Sequence, residues 1–301
     1  MNALIYAWPG REALAAALAD AMSGDVGSLE LRRFPDGESY VRLVTAPAGR
    51  DVVLGCGLEH PDEKCTSLYF AAITARELGA RSVGLVAPYL AYMRQDARFH
   101  DGEAIASRAF GHWLSSAVDW LVTLDPHLHR HASLDEVYSI PARAVSAAGS
   151  IARWIAANVP DALIVGPDAE SAQWAGSVAM SAGCPHVVLE KTRRGDRDVE
   201  IRLPSLAQWR GRKAVLIDDI ISTAHTMATA ALRLREAGFA APLCVGVHAL
   251  FGADALAALR SAGVARIVTC NSIPHATNSI DVLGIVATAA REMLASHRPS
   301  S

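Results

Sequence analysis

Lysine is scarce in this sequence, because only three of its 28 lysine and arginine residues are lysine: Lys64, Lys191 and Lys213. Arginine presents a planar fork of donors, whereas lysine presents a compact point charge, so a site that needs an ammonium is poorly served by arginine. Each lysine is therefore a candidate for a specific role, although chance explains any single one about equally well.

The sequence also lacks the marks of several protein classes. No apolar run reaches the roughly 18 to 20 residues that cross a bilayer, and no basic leader follows Met1, so we predict a cytoplasmic chain without membrane contact. The five cysteines show no C-x-x-C spacing, and we expect them to be reduced packing residues. A net charge of -3 gives no general basis for binding nucleic acid.

Short apolar segments of strand length alternate with longer amphipathic segments almost to the end of the chain. This alternation predicts βα units that form mostly parallel sheets, which is the α/β class. A length of 301 residues with 51% hydrophobic residues favours two domains over one. We place an N-terminal domain at residues 1–145, a C-terminal domain at 146–284, and a closing helix at 285–301.

The predicted elements can be stated as ranges. Strands are expected at residues 3–7, 29–33, 40–44, 51–56, 82–87 and 120–124 in the first half, and at 162–165, 186–189, 199–201, 213–217, 243–248 and 266–269 in the second. Helices are expected at residues 11–22, 64–78 and 103–115, and the last helix has its amphipathic core at 286–296.

The clearest chemical pattern lies at residues 215–226, where an apolar strand is followed by Asp218, Asp219 and a hydroxyl-rich turn. Ligands of open α/β sheets gather outside the carboxyl ends of the strands. Adjacent carboxylates can hold ribose hydroxyls or hydrated Mg²⁺, and the hydroxyls and backbone N–H groups of the turn can receive a phosphate. An acidic helix cap is the alternative interpretation.

Three further places carry chemistry-bearing side chains after predicted strands. His127 can ligate a metal or donate to a phosphate, whereas His129 and His131 look like solvated loop residues. Asp168 can offer a hard oxygen ligand or, alternatively, cap a helix. Lys191 lies in a polar stretch between two predicted strands, which fits a mobile flap or a solvated run of charge.

These segments, taken together and in order, resemble the ribose-phosphate diphosphokinase (PRPP synthetase) family. The segment at 218–226 resembles the PRPP-binding loop that this family shares with type I phosphoribosyltransferases. Residues 33–38 (RFPDGE) resemble the family segment that embraces adenine, and residues 88–96 resemble its ATP-binding stretch. Residues 99–105 and 189–193 point to the archaeal-type branch.

The resemblance implies two tandem type I phosphoribosyltransferase-like domains, with nucleotide and ribose phosphate meeting where they adjoin and the closing helix returning to the first. It implies a Mg²⁺-dependent transfer of the diphosphate of ATP to C1 of ribose 5-phosphate, by a homodimer or larger homo-oligomer. The implied catalytic residues are Lys191 and Arg193, and the implied metal ligands are His127 and Asp168. The implied nucleotide-binding residues are Phe34, Asp36, Glu38, Arg94, Gln95 and His127. The implied ribose-phosphate-binding residues are Asp218, Asp219, Ser222, Thr223, Ala224, His225 and Thr226.

The implied nucleotide-binding residues also make chemical sense individually. The ring of Phe34 can stack on adenine, and Asp36 and Glu38 can accept hydrogen bonds from its amine, although the segment alone is equally an ordinary hairpin turn. Arg94 can clamp phosphate oxygens through two parallel hydrogen bonds.

The sequence departs from the family pattern at three places. Ala224 and His225 stand where two glycines are usual, Asn271 stands where aspartate is common, and Ala97 stands where bacterial members often have arginine. A methyl group at 224 can obstruct the phosphate, whereas His225 can add a donor to it. Two alternatives therefore stay open: a noncatalytic regulatory subunit of the same family, and a phosphoribosyltransferase.

Overall fold

The computed structural model describes residues 3–194, 198–202 and 206–297; the side chains of residues 190–194, 198–202 and 207 lie outside that description. The chain divides into two compact units, one formed by Met1–Val145 with Leu283–Ser301 and the other by Ser146–Val282. Within the described ranges, no helix has both the length and the apolar character needed to cross a membrane.

The first unit is a six-stranded parallel sheet with an added hairpin. In the sheet the strands follow the order β2-β1-β5-β6-β7-β8, and β3 pairs antiparallel with β4 outside it. The strands are β1 (Ala3–Ala7), β2 (Asp25–Val26), β3 (Leu29–Arg33), β4 (Ser39–Leu43), β5 (Asp51–Gly55), β6 (Ser82–Ala87), β7 (Trp120–Leu124) and β8 (Ala142–Val145). The helices are α1 (Glu12–Met22), α2 (Pro61–Glu77) and α3 (Ala106–Ala117).

The second unit is built in the same way. Its sheet has the order β10-β9-β13-β14-β15-β16, and β11 pairs antiparallel with β12. The strands are β9 (Ala162–Gly166), β10 (His186–Val188), β11 (Glu190–Arg194), β12 (Asp198–Arg202), β13 (Lys213–Ile221), β14 (Leu243–Ala249), β15 (Arg266–Cys270) and β16 (Asn278–Ile280). The helices are α4 (Ala148–Asn158), α5 (Ala172–Ala182), α6 (His225–Glu236) and α7 (Ala253–Ser261).

The last helix, α8 (Leu283–His297), packs on α1, β7 and β8 of the first unit. Its buried face consists mainly of Val286, Ala287, Ala290 and Leu294, whose spacing of three and four residues matches one side of a helix. The helix thus covers the β7–β8 side of the sheet, whose last strand precedes it by more than a hundred residues.

The central strands are buried on both faces, as expected for parallel strands covered by helices on two sides. Every residue of β5, β6 and β7 is buried. Gly84 in β6 makes room for the ring of Trp120 in β7, since a Cβ at position 84 would lie 2.0 Å from that ring. The close contact with Trp120 therefore explains why position 84 is a glycine.

The two units share one topology, since their sheet orders are identical once the strands of each are numbered separately. Helices α1 and α5 each lead to an edge strand, whereas α2 and α6 lead the other way, so the strand order reverses between β1 and β5 and between β9 and β13. In both, an antiparallel hairpin follows that edge strand. The hairpin β3–β4 is thus the topological counterpart of β11–β12.

The expected α/β class with two parallel sheets is confirmed, whereas several element bounds were wrong. Helices α2 and α3 begin three residues earlier and three residues later than predicted, at Pro61 and Ala106. Strands β2, β8 and β16 were not predicted, and they are only two to four residues long. Such short strands carry too few residues for an alternating or continuous apolar pattern to emerge.

Candidate active site

The point where the strand order reverses in the second unit brings the predicted acidic residues to one edge of the sheet. Asp168 follows β9 by two residues, and Asp218 and Asp219 lie near the carboxyl end of the adjacent strand β13. Crevices at such switch points are where open α/β sheets bind ligands. The fold thus places the carboxylates at the position that general topology favours for a site.

Asp218 is electrostatically strained in the absence of a ligand. Burial, together with the negative charges of Asp219 and Asp168, raises its pKa well above the ordinary value of 3.8. The backbone N–H of Asp219 donates to Oδ1 of Asp218 at 3.1 Å and opposes this shift only in part. A cation or a set of hydroxyl donors would relieve the repulsion, so the cluster suits a metal or a polyhydroxylated ligand.

The turn after β13 leads directly into α6, which begins at His225. Ala224 is the residue before that helix and has φ 62° and ψ 6°, in the left-handed region. Glycine adopts this conformation without strain, whereas an alanine loses roughly 1–2 kcal/mol there. The chain therefore keeps the backbone shape that glycine would give at this position, despite the substitution noted in the sequence.

The methyl group of Ala224 does not face the mouth of the turn. Ala224 is 6% exposed and belongs to the hydrophobic core cluster of the second unit, together with Leu163, Ile221 and Met227. His225 and Thr223 are exposed instead. They line, with Ser222 and Phe251, a cleft of about 470 Å³ that also touches the start of α7. The open side of the turn thus presents hydroxyls and an imidazole.

Asp168 is not the N-cap of a helix, which the alternative interpretation required, because the N-cap residue of α5 is Ser171. Its Oδ1 accepts the backbone N–H of Ser171 at 3.3 Å, and the hydroxyl of Ser171 donates to the carbonyl of Asp168 at 2.6 Å. This pair closes the turn that leads into α5. One carboxylate oxygen takes part in this turn, so the turn fixes the side chain beside the switch point and leaves Oδ2 to a ligand.

The segment around Lys191 is a strand and not a connection between strands, which corrects the predicted secondary structure, whereas its role as a mobile flap stays a prediction. Lys191 and Arg193 lie in β11, where they pair with Ile201 and Val199 of β12. Their side chains, and residues 195–197 at the tip, lie outside the described part of the chain. The prediction missed this strand because its residues are polar and carry neither a continuous nor an alternating apolar pattern.

The segment Phe34–Glu38 forms the tip of the hairpin β3–β4 in the first unit. The N–H of Phe34 donates to the carbonyl of Glu38 at 2.8 Å, and Gly37 has φ 94°. Phe34 is 39% exposed and lies beside Tyr40, with the guanidinium of Arg32 4.8 Å from its ring centroid. The exposed ring and the exposed carboxylates of Asp36 and Glu38 are therefore presented together at one tip.

Arg94 and Gln95 are exposed on the loop that follows β6. With Phe99 and Glu103 they line a cleft of about 260 Å³. The carboxylate of Glu103 organises this wall, since its Oε2 accepts the N–H groups of Phe99 and His100 at 2.7 and 3.1 Å. The guanidinium of Arg94 is thus available to an anionic ligand beside a preformed recess.

His127 lies in the loop that follows β7, with its ring 3.9 Å from that of His129 between centroids. Asp125 introduces the loop with φ 34°, a conformation that aspartate tolerates better than most residues. His131 is not a solvated residue, which corrects the prediction: it is 9% exposed and lies 3.0 Å from a carboxylate oxygen of Glu136. Its hydrogen bond lowers the pKa of Glu136.

The scarcity of lysine does not by itself mark a catalytic residue. The ammonium of Lys64 donates to the carbonyl of Gly57 at 2.8 Å and also to Glu59, which pairs with the buried Arg11. The rotatable N–H donors of the Lys64 ammonium thus hold the loop at Gly57 and Glu59 in place, which is a structural role. Lys213, at the start of β13, is exposed.

Asn271, where the family often has aspartate, has a structural partner in this chain. Its amide donates to Asp281 at 2.7 Å, and its Oδ1 accepts the N–H of Val282 at 2.9 Å. An aspartate at position 271 would place its carboxylate beside that of Asp281, whereas the asparagine amide can donate a hydrogen bond to Asp281.

Comparison with known proteins decides which family this architecture represents. A sequence profile of the N-terminal domain of ribose phosphate pyrophosphokinase matches residues 3–117, and a phosphoribosyl transferase domain profile matches residues 133–283. The ribose-phosphate pyrophosphokinase of Methanopyrus kandleri is 34% identical over 92% of this chain and 94% of its own length. That of Methanothermobacter thermautotrophicus is 33% identical over 94% of this chain and 98% of its own length.

The chain belongs to the ribose-phosphate pyrophosphokinase family. The crystal structure of a phosphoribosylpyrophosphate synthetase from Mycobacterium smegmatis has the same fold, with a TM-score of 0.84 and 22% identity over 98% of this chain and all of the other. The family expected from the sequence is thus confirmed, as is its archaeal-type character. The roles of individual residues stay predictions.

Proposed function

We propose that this chain transfers the diphosphate of ATP to C1 of ribose 5-phosphate, giving PRPP and AMP. The observation that carries the proposal is the presence in one chain of the Asp218–Thr226 loop in the second unit and of a first unit that matches the N-terminal domain of ribose phosphate pyrophosphokinase. The loop alone would fit a phosphoribosyltransferase equally well. The first unit, with its aromatic hairpin tip and its exposed Arg94, adds the groups that a nucleotide requires.

Ribose 5-phosphate is assigned to the second unit. Asp218 and Asp219 hold the ribose hydroxyls and orient C1, since ionised carboxylates accept hydrogen bonds from adjacent hydroxyls. Backbone N–H groups at the start of α6 and the hydroxyls of Ser222, Thr223 and Thr226 receive the 5-phosphate. His225 is exposed at the first residue of the helix, where its ring can donate to the same phosphate.

ATP is assigned to the first unit. Phe34 stacks on adenine, while Asp36 and Glu38 accept hydrogen bonds from its amine. Arg94 clamps phosphate oxygens, and Gln95 and His127 donate to them. Each of these groups except His127 is exposed, and His127 is partly exposed, so all can reach a ligand without rearrangement of the core.

Magnesium is the predicted metal, and the donor set of the second unit fits it. Asp168, Asp218 and Asp219 offer the hard oxygen ligands that Mg²⁺ prefers, and the raised pKa of Asp218 shows how closely their charges interact. Imidazole suits Mg²⁺ less well, so the chemistry of His127 favours a phosphate contact over its predicted role as a ligand. When bound, Mg²⁺ would neutralise charge on the transferring group.

The reaction needs no covalent nucleophile from the protein. The C1 hydroxyl of ribose 5-phosphate attacks the β-phosphorus of ATP, the bond from that phosphorus to the α-phosphate oxygen breaks, and AMP leaves. Such transfers depend on alignment and on stabilising negative charge, which is the role assigned to Lys191 and Arg193. The hydroxyl proton passes to solvent or to a nearby carboxylate.

Two rival functions are separated by one set of assays on the purified chain. The diphosphokinase forms AMP only when ATP, Mg²⁺ and ribose 5-phosphate are all present. A phosphoribosyltransferase consumes PRPP and a base without ATP. A noncatalytic subunit, which the departure at Ala224–His225 would suit, gives no turnover alone. A cytoplasmic homodimer or larger homo-oligomer stays a prediction, and light scattering at micromolar concentration tests the assembly.

A further inference from the structure

Asp96, which directly follows Arg94 and Gln95, carries a carboxylate that is completely buried. Its side chain is 0% exposed, and its Oδ1 accepts a hydrogen bond from Nη1 of Arg130 at 2.8 Å. Within the described part of the chain, its Oδ2 has no hydrogen-bond partner. A buried carboxylate is unfavourable unless a partner replaces its water, so Arg130 is the group that makes this placement tolerable.

The other side of the Arg94–Gln95 turn is also fixed by an unusual residue. Tyr92 has φ 63°, a conformation that is rare and strained for a bulky side chain. Its hydroxyl donates to Asp62 on α2, which raises the pKa of Tyr92 to about 12, and its carbonyl accepts the N–H of Gln95 at 3.2 Å. Strained residues persist where the surroundings fix them, and they concentrate at functional sites.

Arg130 belongs to a different loop, the one that carries His127. Its guanidinium bonds Asp96 and also lies 5.1 Å from the ring centroid of Phe99. One arginine side chain therefore touches the Arg94-bearing loop at two places. The guanidinium is 46% exposed, so its contribution to general packing is limited, whereas its link between the two loops is specific.

We propose that the Asp96–Arg130 ion pair positions the Arg94–Gln95 turn relative to the loop of His127, so that both loops are ordered before the nucleotide phosphates bind. The inference rests on the proposed function, because it assigns these two loops to ATP. Asp96 and Arg130 are positioning residues: the carboxylate is buried and cannot touch a ligand itself. Groups that are ordered in advance lose less conformational entropy on binding, which strengthens binding of the ligand they contact.

The first unit contains a similar ion pair, suitable as a control, at the opposite end of the strands of the same sheet. Asp51 is 1% exposed, and its Oδ2 accepts from Arg81, which is 49% exposed, at 3.1 Å. Asp51 and Ser82 begin β5 and β6, at the amino ends of the strands, whereas the proposed nucleotide loops follow the carboxyl ends. Both pairs thus combine a buried aspartate with a half-exposed arginine, and only one adjoins the proposed site.

The test compares Asp96→Asn with Asp51→Asn in the full-length chain. Equilibrium binding of Mg·ATP without ribose 5-phosphate is measured first, followed by KM for each substrate and by Tm. We expect Asp96→Asn to weaken Mg·ATP binding on the order of tenfold and to change KM for ribose 5-phosphate less than twofold. Asp51→Asn should lower Tm comparably and leave both substrates unaffected.

The arginine side of the pair provides a second, independent readout. Arg130→Gln should weaken Mg·ATP binding as Asp96→Asn does, and Arg130→Lys should restore part of the loss because it keeps the charge but not the fork. The double variant Asp96→Asn with Arg130→Gln should bind about as weakly as either single variant, since both remove one interaction. The double variant also leaves no unpaired buried charge, so it serves if a single variant fails to fold.

Three outcomes would overturn the inference: unchanged Mg·ATP binding in a folded Asp96→Asn or double variant, equal weakening for both substrates, or the same loss of ATP binding in Asp51→Asn. A parent chain that binds Mg·ATP but releases no AMP would refute the diphosphokinase proposal alone, and the binding comparison would still decide the role of the ion pair. A parent that binds no Mg·ATP would refute both.

Discussion

Oδ1 of Asp218 accepts the backbone N–H of Asp219 at 3.1 Å, so two adjacent carboxylates are held at the end of one buried strand. This arrangement disfavours the ionised form of Asp218, whose pKa is raised by burial and by the charges of Asp219 and Asp168. A site that is electrostatically unfavourable when empty gains most from a ligand that supplies positive charge or hydroxyl donors. The proposed role of Asp218 in binding therefore opposes the stability of the fold.

Replacing Asp218 with asparagine should stabilise the unliganded protein and impair catalysis. Because folding raises this pKa, the contribution of Asp218 to stability is fully present below the ordinary value of 3.8 and declines as the pH rises through the raised value. Asp218→Asn resembles the neutral form at every pH, so its Tm should exceed that of the parent at pH 8 and the difference should shrink in acid. We expect kcat/KM to fall on the order of a hundredfold.

Thermal unfolding at several pH values, with and without substrates, measures this effect. Asp101→Asn, at an exposed aspartate of the first unit, is the control and should show no such pH-dependent gain. A Tm for Asp218→Asn below that of the parent at every pH would show that the carboxylate stabilises the empty site, contrary to the account.

Replacing Ala224 with glycine should leave both stability and ribose 5-phosphate affinity nearly unchanged. Relief of the left-handed conformation is worth roughly 1–2 kcal/mol. Two effects of the substitution lower the free energy of unfolding and offset this gain. Glycine gives the unfolded chain more freedom, which costs about 0.4–1 kcal/mol, and loss of the buried methyl group costs about 0.8 kcal/mol. Urea unfolding should therefore show a change within about 1 kcal/mol.

Calorimetric titration with ribose 5-phosphate measures the second part of this prediction. The methyl group of Ala224 lies in the core cluster, so its removal should alter affinity less than twofold. A large gain in affinity would instead show that the methyl obstructs the phosphate.

Replacing Lys191 tests the transition-state role assigned to it. Lys191→Ala should lower kcat on the order of a hundredfold with a smaller effect on nucleotide binding, and Lys191→Arg should restore little of the loss. The control is Lys213→Ala, because Lys213 is an exposed lysine of the same unit. Near-normal turnover in either Lys191 variant would remove this residue from the mechanism.

Replacing Phe34 tests the assignment of the hairpin tip to adenine. Stacking of a base on an aromatic ring is worth about 1–3 kcal/mol, so Phe34→Ala should raise KM for ATP by roughly tenfold or more. Phe70→Ala is the matched control, since Phe70 on α2 is 44% exposed and Phe34 is 39% exposed. If the two variants have the same KM for ATP as the parent, the tip does not hold the base.

The sequence predicted buried strands well, because β1, β6 and β7 carry apolar runs and were placed at their observed bounds. It failed at β11, where the residues are polar and pairing with β12 is decided by the chain on the far side of a turn. Apolar patterns in a sequence indicate strands that are buried in a core, and the residues of β11 carry no such pattern.

The candidate site was likewise predicted only in part. The order of polar residues after strands located Asp168, Asp218 and Asp219, because the carboxyl ends of parallel strands share one edge. Nothing local predicted the left-handed backbone of Tyr92, nor the pairing of Asp96 with Arg130, since the two partners are separated by 34 residues. Their contact depends on the packing of two loops, which a single sequence does not encode in any short pattern.

We expect the β- and γ-phosphates of ATP to be transferred to ribose 5-phosphate together, and phosphorus NMR of one reaction mixture shows whether they are. Purified chain with ATP, Mg²⁺ and ribose 5-phosphate should produce AMP and PRPP in equal amounts, with no ADP formed in the same period. The reaction should stop when ribose 5-phosphate is omitted. Appearance of ADP with a ribose bisphosphate, or no consumption of ATP by the folded chain, would contradict the account.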